Sequence, residues 1–430
     1  MKKELLDILK SDVKPALGCT GPISVVFAAS VAAQAVGGTL QSLRVIMDRD
    51  TYKNSISVAT PGTPYMGVLE PAVVGAMYGK PEYRLEVIKD LGDFDRARVE
   101  AFAKEHTSIE IRWEQKAMGL YIEAFATTDR GVGHAIVAKT HDGVVLKEAN
   151  GVVLEKDESY VPEDEAFEEK KPIRAYTVRD FYDFATEAPI EWLEFLQDAL
   201  DTNEALAQAG LDKKLGAGFG CGFREMAKDS MYLKAKMMAA AAADARMSGE
   251  TLSAMSCGGS GNVGITASVP LITVAQYYHC SREQLLRALA LSYLLTISGK
   301  AHIGRLSPMC ACAMVASLGI AAGSCMLMGG NFEQIEGAIA NLVGSTGGVL
   351  CDGAKYGCAM KLATGAGVAM ESANLAVHGV RIPVYDGLVG ATAEDTLALL
   401  GRIASKSMLT TDEYMCKEII RRENKIPVGD

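Results

Sequence analysis

The hydrophobic period of this chain changes near residue 155, and that change limits the fold more than any other feature. Between residues 40 and 155, apolar and polar residues alternate in short runs, the period of a half-buried strand. The runs are "TLQSLRVIMDRDTYKNSISVAT", "SIEIRWEQ", "GLYIEAFATT", "GHAIVAKTH" and "GVVLKEANG", with turn residues between them. His141-Asp142-Gly143 fits a hairpin turn between the last two. Two helical patterns interrupt the strands, "YMGVLEPAVVGAMYG" and "DFDRARVEAFAKEH"; the second carries acids early and Lys and His late, as the helix dipole prefers. From residue 176 onward the spacing is helical throughout, in segments such as "IEWLEFLQDALDTNEALAQAG" and "SREQLLRALALSYLLTISG". The stretch between, "EKDESYVPEDEAFEEKKP", is charged, contains proline and reads as a solvated linker.

The predicted fold class is α+β: a large, mostly all-α domain over 176–430 and a smaller α+β domain over 40–155 with a mainly antiparallel sheet, joined by a linker at 156–175. Residues 1–39 read as helices broken between Pro15 and Pro22, expected to pack on the helical domain. Two domains suit 430 residues, since single cores stop growing at about 250–300. A net charge of −10 without a Lys/Arg run argues against nucleic acid as the main partner. The most apolar stretch, 306–330, lacks both a Leu/Ile/Phe run and an aromatic belt, so it is expected to be a buried helix and no membrane partner is expected. "MKKELLDILK" reads as an amphipathic helix, not a signal peptide. Ten cysteines without an export signal imply a reducing, cytoplasmic setting, in which cysteines serve as core residues, ligands or catalysts rather than disulfides.

Four segments break the local rules: "ALGCTGP", "SCGGSGNVGI", "HIGRLSPMCACAM" and "LCDGAKYGCAM". A glycine-dense loop ahead of a helix leaves bare N–H groups for an anion, with Ser260, Gly261 and Asn262 as donors to a substrate carboxylate. A close helix crossing that needs glycines explains the same residues equally well. It is neither a Walker loop nor a dinucleotide fingerprint. Cys351 and Cys358 do not have zinc-finger spacing, and no His-x3–5-His accompanies them. Thiolates from separate segments suit a [4Fe–4S] cluster, in which three of them leave one iron open as a Lewis acid. Against this, a single buried cysteine is usually a small hydrophobe.

Taken in order, "LGCTGP", "SCGGSGNVGI", "GRLSPMCACAMVASLGIAAG" and "CDGAKYGCAMK" resemble the iron–sulfur L-serine dehydratase α-chain superfamily, closest to its L-cysteine desulfidase branch, over residues of about 10 to 425. The resemblance implies a [4Fe–4S] cluster on Cys312, Cys351 and Cys358, with Cys19 as fourth ligand or substrate-side thiol and Cys310 as rival to Cys312. It implies pyridoxal-independent β-elimination from a small amino acid: L-cysteine to hydrogen sulfide, ammonia and pyruvate, with L-serine as the alternative substrate. Lys355, His302 and Lys53 are the candidate proton acceptors. Thr20, Asn54 and Arg305 join Cys19 and the glycine loop as candidate substrate contacts. Two positions depart from the pattern, Gly21 where Glu is expected and Val263 where Gln is expected. They keep open a third reading, a non-catalytic cluster or amino-acid-binding protein. A homodimer is compatible with all three.

Overall fold

The computed structural model describes residues 3–113, 120–161, 171–304 and 306–424. The fold is α+β. Six strands form one sheet in the order β3-β2-β4-β5-β6-β7: β2 Leu40–Asp48, β3 Thr107–Arg112, β4 Tyr121–Thr128, β5 Gly131–Ala138, β6 Val144–Ala149 and β7 Val152–Lys156. Only the β2–β3 pair is parallel. β1 Lys14–Leu17 pairs antiparallel with β8 Ser253–Ser256 in a separate ribbon.

Two hydrophobic cores organise the rest. The larger is helical and is built from Val178–Glu187 onward, with the N-terminal helix Lys3–Asp12 adding Leu5, Leu6 and Leu9. The smaller lies beneath the six-stranded sheet, where Ile122, Ala124 and Ala126 of β4 face the helix Thr20–Val36. The sequence places this helix, with the rest of 1–39, on the helical domain; it packs instead under the sheet. Its residues are apolar or small on every side, so periodicity holds no direction to read. Gly75 fixes the second helix of this layer, Leu69–Tyr78, because a Cβ there would stand 2.2 Å from the Val26 carbonyl.

Three further differences have local causes. The alternation over 39–60 predicts a strand throughout, but β2 stops at Asp48, whose carboxylate accepts from the Thr51 N–H at 2.8 Å and caps a short helix, Arg49–Lys53. β7 was not predicted; it extends the sheet across a tight turn at Asn150-Gly151, both at positive φ. The apolar stretch 306–330 becomes helical only at Ala311, with a wide π-turn over Ala311–Ala316 leading into the α-helix Ser317–Leu327. Of the expected linker, residues 162–170 lie outside the described residues. Among the described residues no helix is long and apolar enough to cross a membrane.

Candidate metal centre

The four rule-breaking segments meet in one pocket between the two cores. Cys310 and Cys351 are set by a short antiparallel bridge: the Cys310 N–H donates to the Val349 carbonyl at 2.8 Å, and the Cys351 N–H donates to the Pro308 carbonyl at 2.7 Å. Cys312 sits in the π-turn directly after Cys310. Cys358 is the first residue of the helix Cys358–Val377. That helix lies tight against the π-turn because Gly365 has no side chain; a Cβ there would be 2.3 Å from Ser317 Oγ and 3.0 Å from Ala313 Cα. Cys19 enters from the sheet side, just before Thr20–Val36. Gly18 precedes it at φ +62, where a Cβ would strike Pro61.

All five thiols line the pocket, with Thr20, Asn54, Ser260, Asn262 and Val263. All five are free cysteines. The Cys312 thiol donates to Cys310; this pushes Cys310 down to about 6 and holds Cys312 well above the ordinary thiol range. Burial pushes Cys358 up to about 12 and also raises Cys351. A thiol site this buried favours the neutral form unless a metal takes the proton's place. Soft sulfur donors from separated segments, surrounded by buried cations, fit an iron–sulfur cluster.

The expected proton acceptors are not brought to the pocket wall. Lys355 is turned back on Asp352, pairing with its carboxylate and donating to its carbonyl. His302 faces the helix Ala393–Arg402, and its Nδ1 lies 2.8 Å from the Ser298 carbonyl oxygen. Burial lowers its pKa. Lys53 is 1% exposed and its Nζ donates to Asp412 Oδ1 at 2.6 Å. Burial alone would discharge it, but the Cys351 sulfur, Asp50, Cys416 and Asp412 outweigh that and raise its pKa, the opposite of what a base needs. Asp50, Asp412 and Cys416 offer ligand atoms within 4.8 Å of one another, but Lys53 and Arg49 already pair with these acids. Asn54 reaches the wall with its amide donating to the Asp50 carbonyl at 2.8 Å. Arg305 lies outside the described residues.

The sequence reading overlooked four residues that do line the pocket: His141, Arg246, Lys300 and Lys361. His141 is 4% exposed and comes from the β5–β6 connection, where it had looked like a turn filler. Lys361 lies one turn into the Cys358 helix and holds the cysteine loop by donating to the Leu350 carbonyl at 2.7 Å and to the Asp352 carboxylate. Arg246 and Lys300 stand in long helices whose sequence marks neither residue. In the glycine loop, Gly261 and Gly264 serve close packing: a Cβ at 261 would meet Arg246 Nε at 2.4 Å, and one at 264 the Met255 carbonyl at 2.1 Å. Asn262 Oδ1 accepts from Arg246 at 2.9 Å.

The family model described as the serine dehydratase alpha chain matches residues 98–417. A UPF0597 protein of Caldanaerobacter subterraneus is 37% identical over 98% of this chain and 100% of its own length. UPF0597 proteins of Clostridium tetani and Desulfotalea psychrophila are each 35% identical, over 98% and 99% of this chain and 99% and 100% of their own. None of these relatives' names states an activity. With most of its length matched, the chain belongs to the serine dehydratase alpha chain family, a family of iron–sulfur lyases.

Proposed function

We propose that this chain is a [4Fe–4S]-dependent, pyridoxal-independent lyase that eliminates the β-substituent of a small amino acid, with L-cysteine as substrate and hydrogen sulfide, ammonia and pyruvate as products. The observation that carries the reading is that Cys19, Cys310, Cys312, Cys351 and Cys358 line one pocket. Cys312, Cys351 and Cys358 would hold the cluster, and Cys19 would be a fourth ligand that substrate displaces to open one iron. When bound, such a cluster supplies a Lewis acid beside the leaving group. The chain's own residues supply the rest. Lys300 brings positive charge for the substrate carboxylate, and Thr20 and Ser260 offer hydroxyl donors. His141, the histidine among the described lining residues, takes the α-proton. Loss of that proton and cleavage of the C–S bond give aminoacrylate, which water converts to pyruvate and ammonia.

A second reading, in which the substrate is not L-cysteine or no turnover occurs, also has an observation behind it. Where the resemblance expects Glu, Gly21 leaves space already taken by Ser55 Oγ and the Asn54 carbonyl, 2.8 and 3.0 Å from a Cβ there. Anaerobic reconstitution followed by parallel sulfide and pyruvate assays separates the readings. Sulfide and pyruvate from L-cysteine are expected. Pyruvate from L-serine alone would move the assignment to a dehydratase, and a loaded chain that turns over neither would leave a binding protein.

A further inference from the structure

We infer that Arg246 is the counter-cation of the metal centre: its guanidinium offsets the thiolates of Cys19, Cys312 and Cys358, and its Nε–H, which has no other partner, would donate to cluster sulfur. The inference rests on the cluster reading above and assigns a positioning residue within it.

Arg246 is 2% exposed, at the end of the helix Met231–Met247. Two edges of its planar fork are fixed. Nη1 donates to Asn262 Oδ1 at 2.9 Å, and Nη2 donates to the Gly18 carbonyl at 2.5 Å. Both acceptors are neutral. Nε is buried and makes no hydrogen bond. Among the described residues no carboxylate pairs with it. Asp244, two residues earlier, is turned away and accepts the Gly220 N–H at 2.8 Å. Arg246 instead shares the pocket wall with Cys19, Cys312 and Cys358, which come from three separate elements and whose sulfurs favour its charge against burial.

An arginine cannot discharge, so burying it without an anion is costly. With all of these thiols protonated, no anion among the described residues compensates it. A thiolate-ligated cluster is anionic and sits where the charge is needed. Gly261 is part of the same design, since any side chain there would displace the Nε edge. Gly18 connects it to ligand placement, because its carbonyl is held by Arg246 one residue before Cys19. A cation donating toward cluster sulfur stabilises the reduced state and strengthens retention, as outer-shell partners of metal ligands do.

The test compares the full-length chain, reconstituted anaerobically, as wild type, Arg246→Gln and Arg246→Lys. Iron and sulfide content, loss of iron to a chelator, and the midpoint potential followed by electron paramagnetic resonance are read. Arg246→Gln is expected to shift the potential to more negative values and weaken iron retention by about 10–100-fold. Arg246→Lys, which keeps the charge but not the fork, is expected to restore much of the potential. If Arg246→Gln does not fold, Gly261→Ala displaces the guanidinium without removing its charge, and the same negative shift is expected. A wild-type cluster whose potential and retention are unchanged in these variants overturns this inference alone. A wild-type chain that binds neither iron nor sulfide overturns both it and the cluster reading.

Discussion

Lys355 and Lys361 both stand near the cysteine loop, but only Lys361 lines the cavity, while Lys355 turns back on Asp352. His302 has the residue type a proton acceptor needs and the wrong direction, whereas His141 has both type and place. His141→Gln is therefore expected to lower turnover by about 10²–10⁴-fold while iron content stays at the wild-type level. Parallel iron and product assays check this; equal loss of iron would make His141 a structural residue instead. The cysteines were readable in the sequence because each sits in a motif that breaks local rules. Arg246 was not, because "AAAADARMSG" reads as an ordinary helix end and its partners, Gly18 and Asn262, are distant in sequence.

At the scale of elements, small residues set the distances. The Cys358 helix reaches the π-turn only because Gly365 lies against Ser317 and Ala313. Gly365→Ala is expected to cost about 1–3 kcal/mol by overpacking and to lower iron content by separating Cys358 from Cys312; chemical denaturation and iron assay read both. On the sheet, His134 of β5 lies between Glu148, 2.6 Å from Nδ1, and Glu123, 3.0 Å from Nε2, and stacks on Phe125. Burial opposes its charge, but the two carboxylates prevail and raise its pKa. Tyr121, which donates to Glu123, and Arg112 complete this cluster. A raised histidine stabilises the fold fully below its unfolded value of about 6.5, and that stability fades as pH climbs through the folded value. Denaturation midpoints should therefore fall from about pH 6.5 upward in wild type, and His134→Gln should flatten that slope. Strand alternation was legible in "GLYIEAFATT"; the helical turn at Arg49–Lys53 was not, since it depends on one capping contact from Asp48.

For the whole molecule, the decisive fact is that two cores share one pocket. The change in period near residue 155 separates strand-rich from helical sequence, but the helix Thr20–Val36 could not be assigned from a sequence with no polar face. The C-terminal helix Leu409–Asn424 returns to the sheet side, placing Ile420 in the smaller core and Asp412 on Lys53. Asp412→Ala leaves a buried ammonium short of its closest acid and is expected to cost about 3–5 kcal/mol, whereas Lys53→Met with Asp412→Leu should be far milder. Urea unfolding of the single and double variants distinguishes this from a general loss of packing. Cys310, Cys312, Cys351 and Cys358 stand on the helical side, while Cys19 arrives with the sheet. Residues 171–424 taken alone would therefore lack one of the five thiols that line the pocket, so the site exists only where both cores are present.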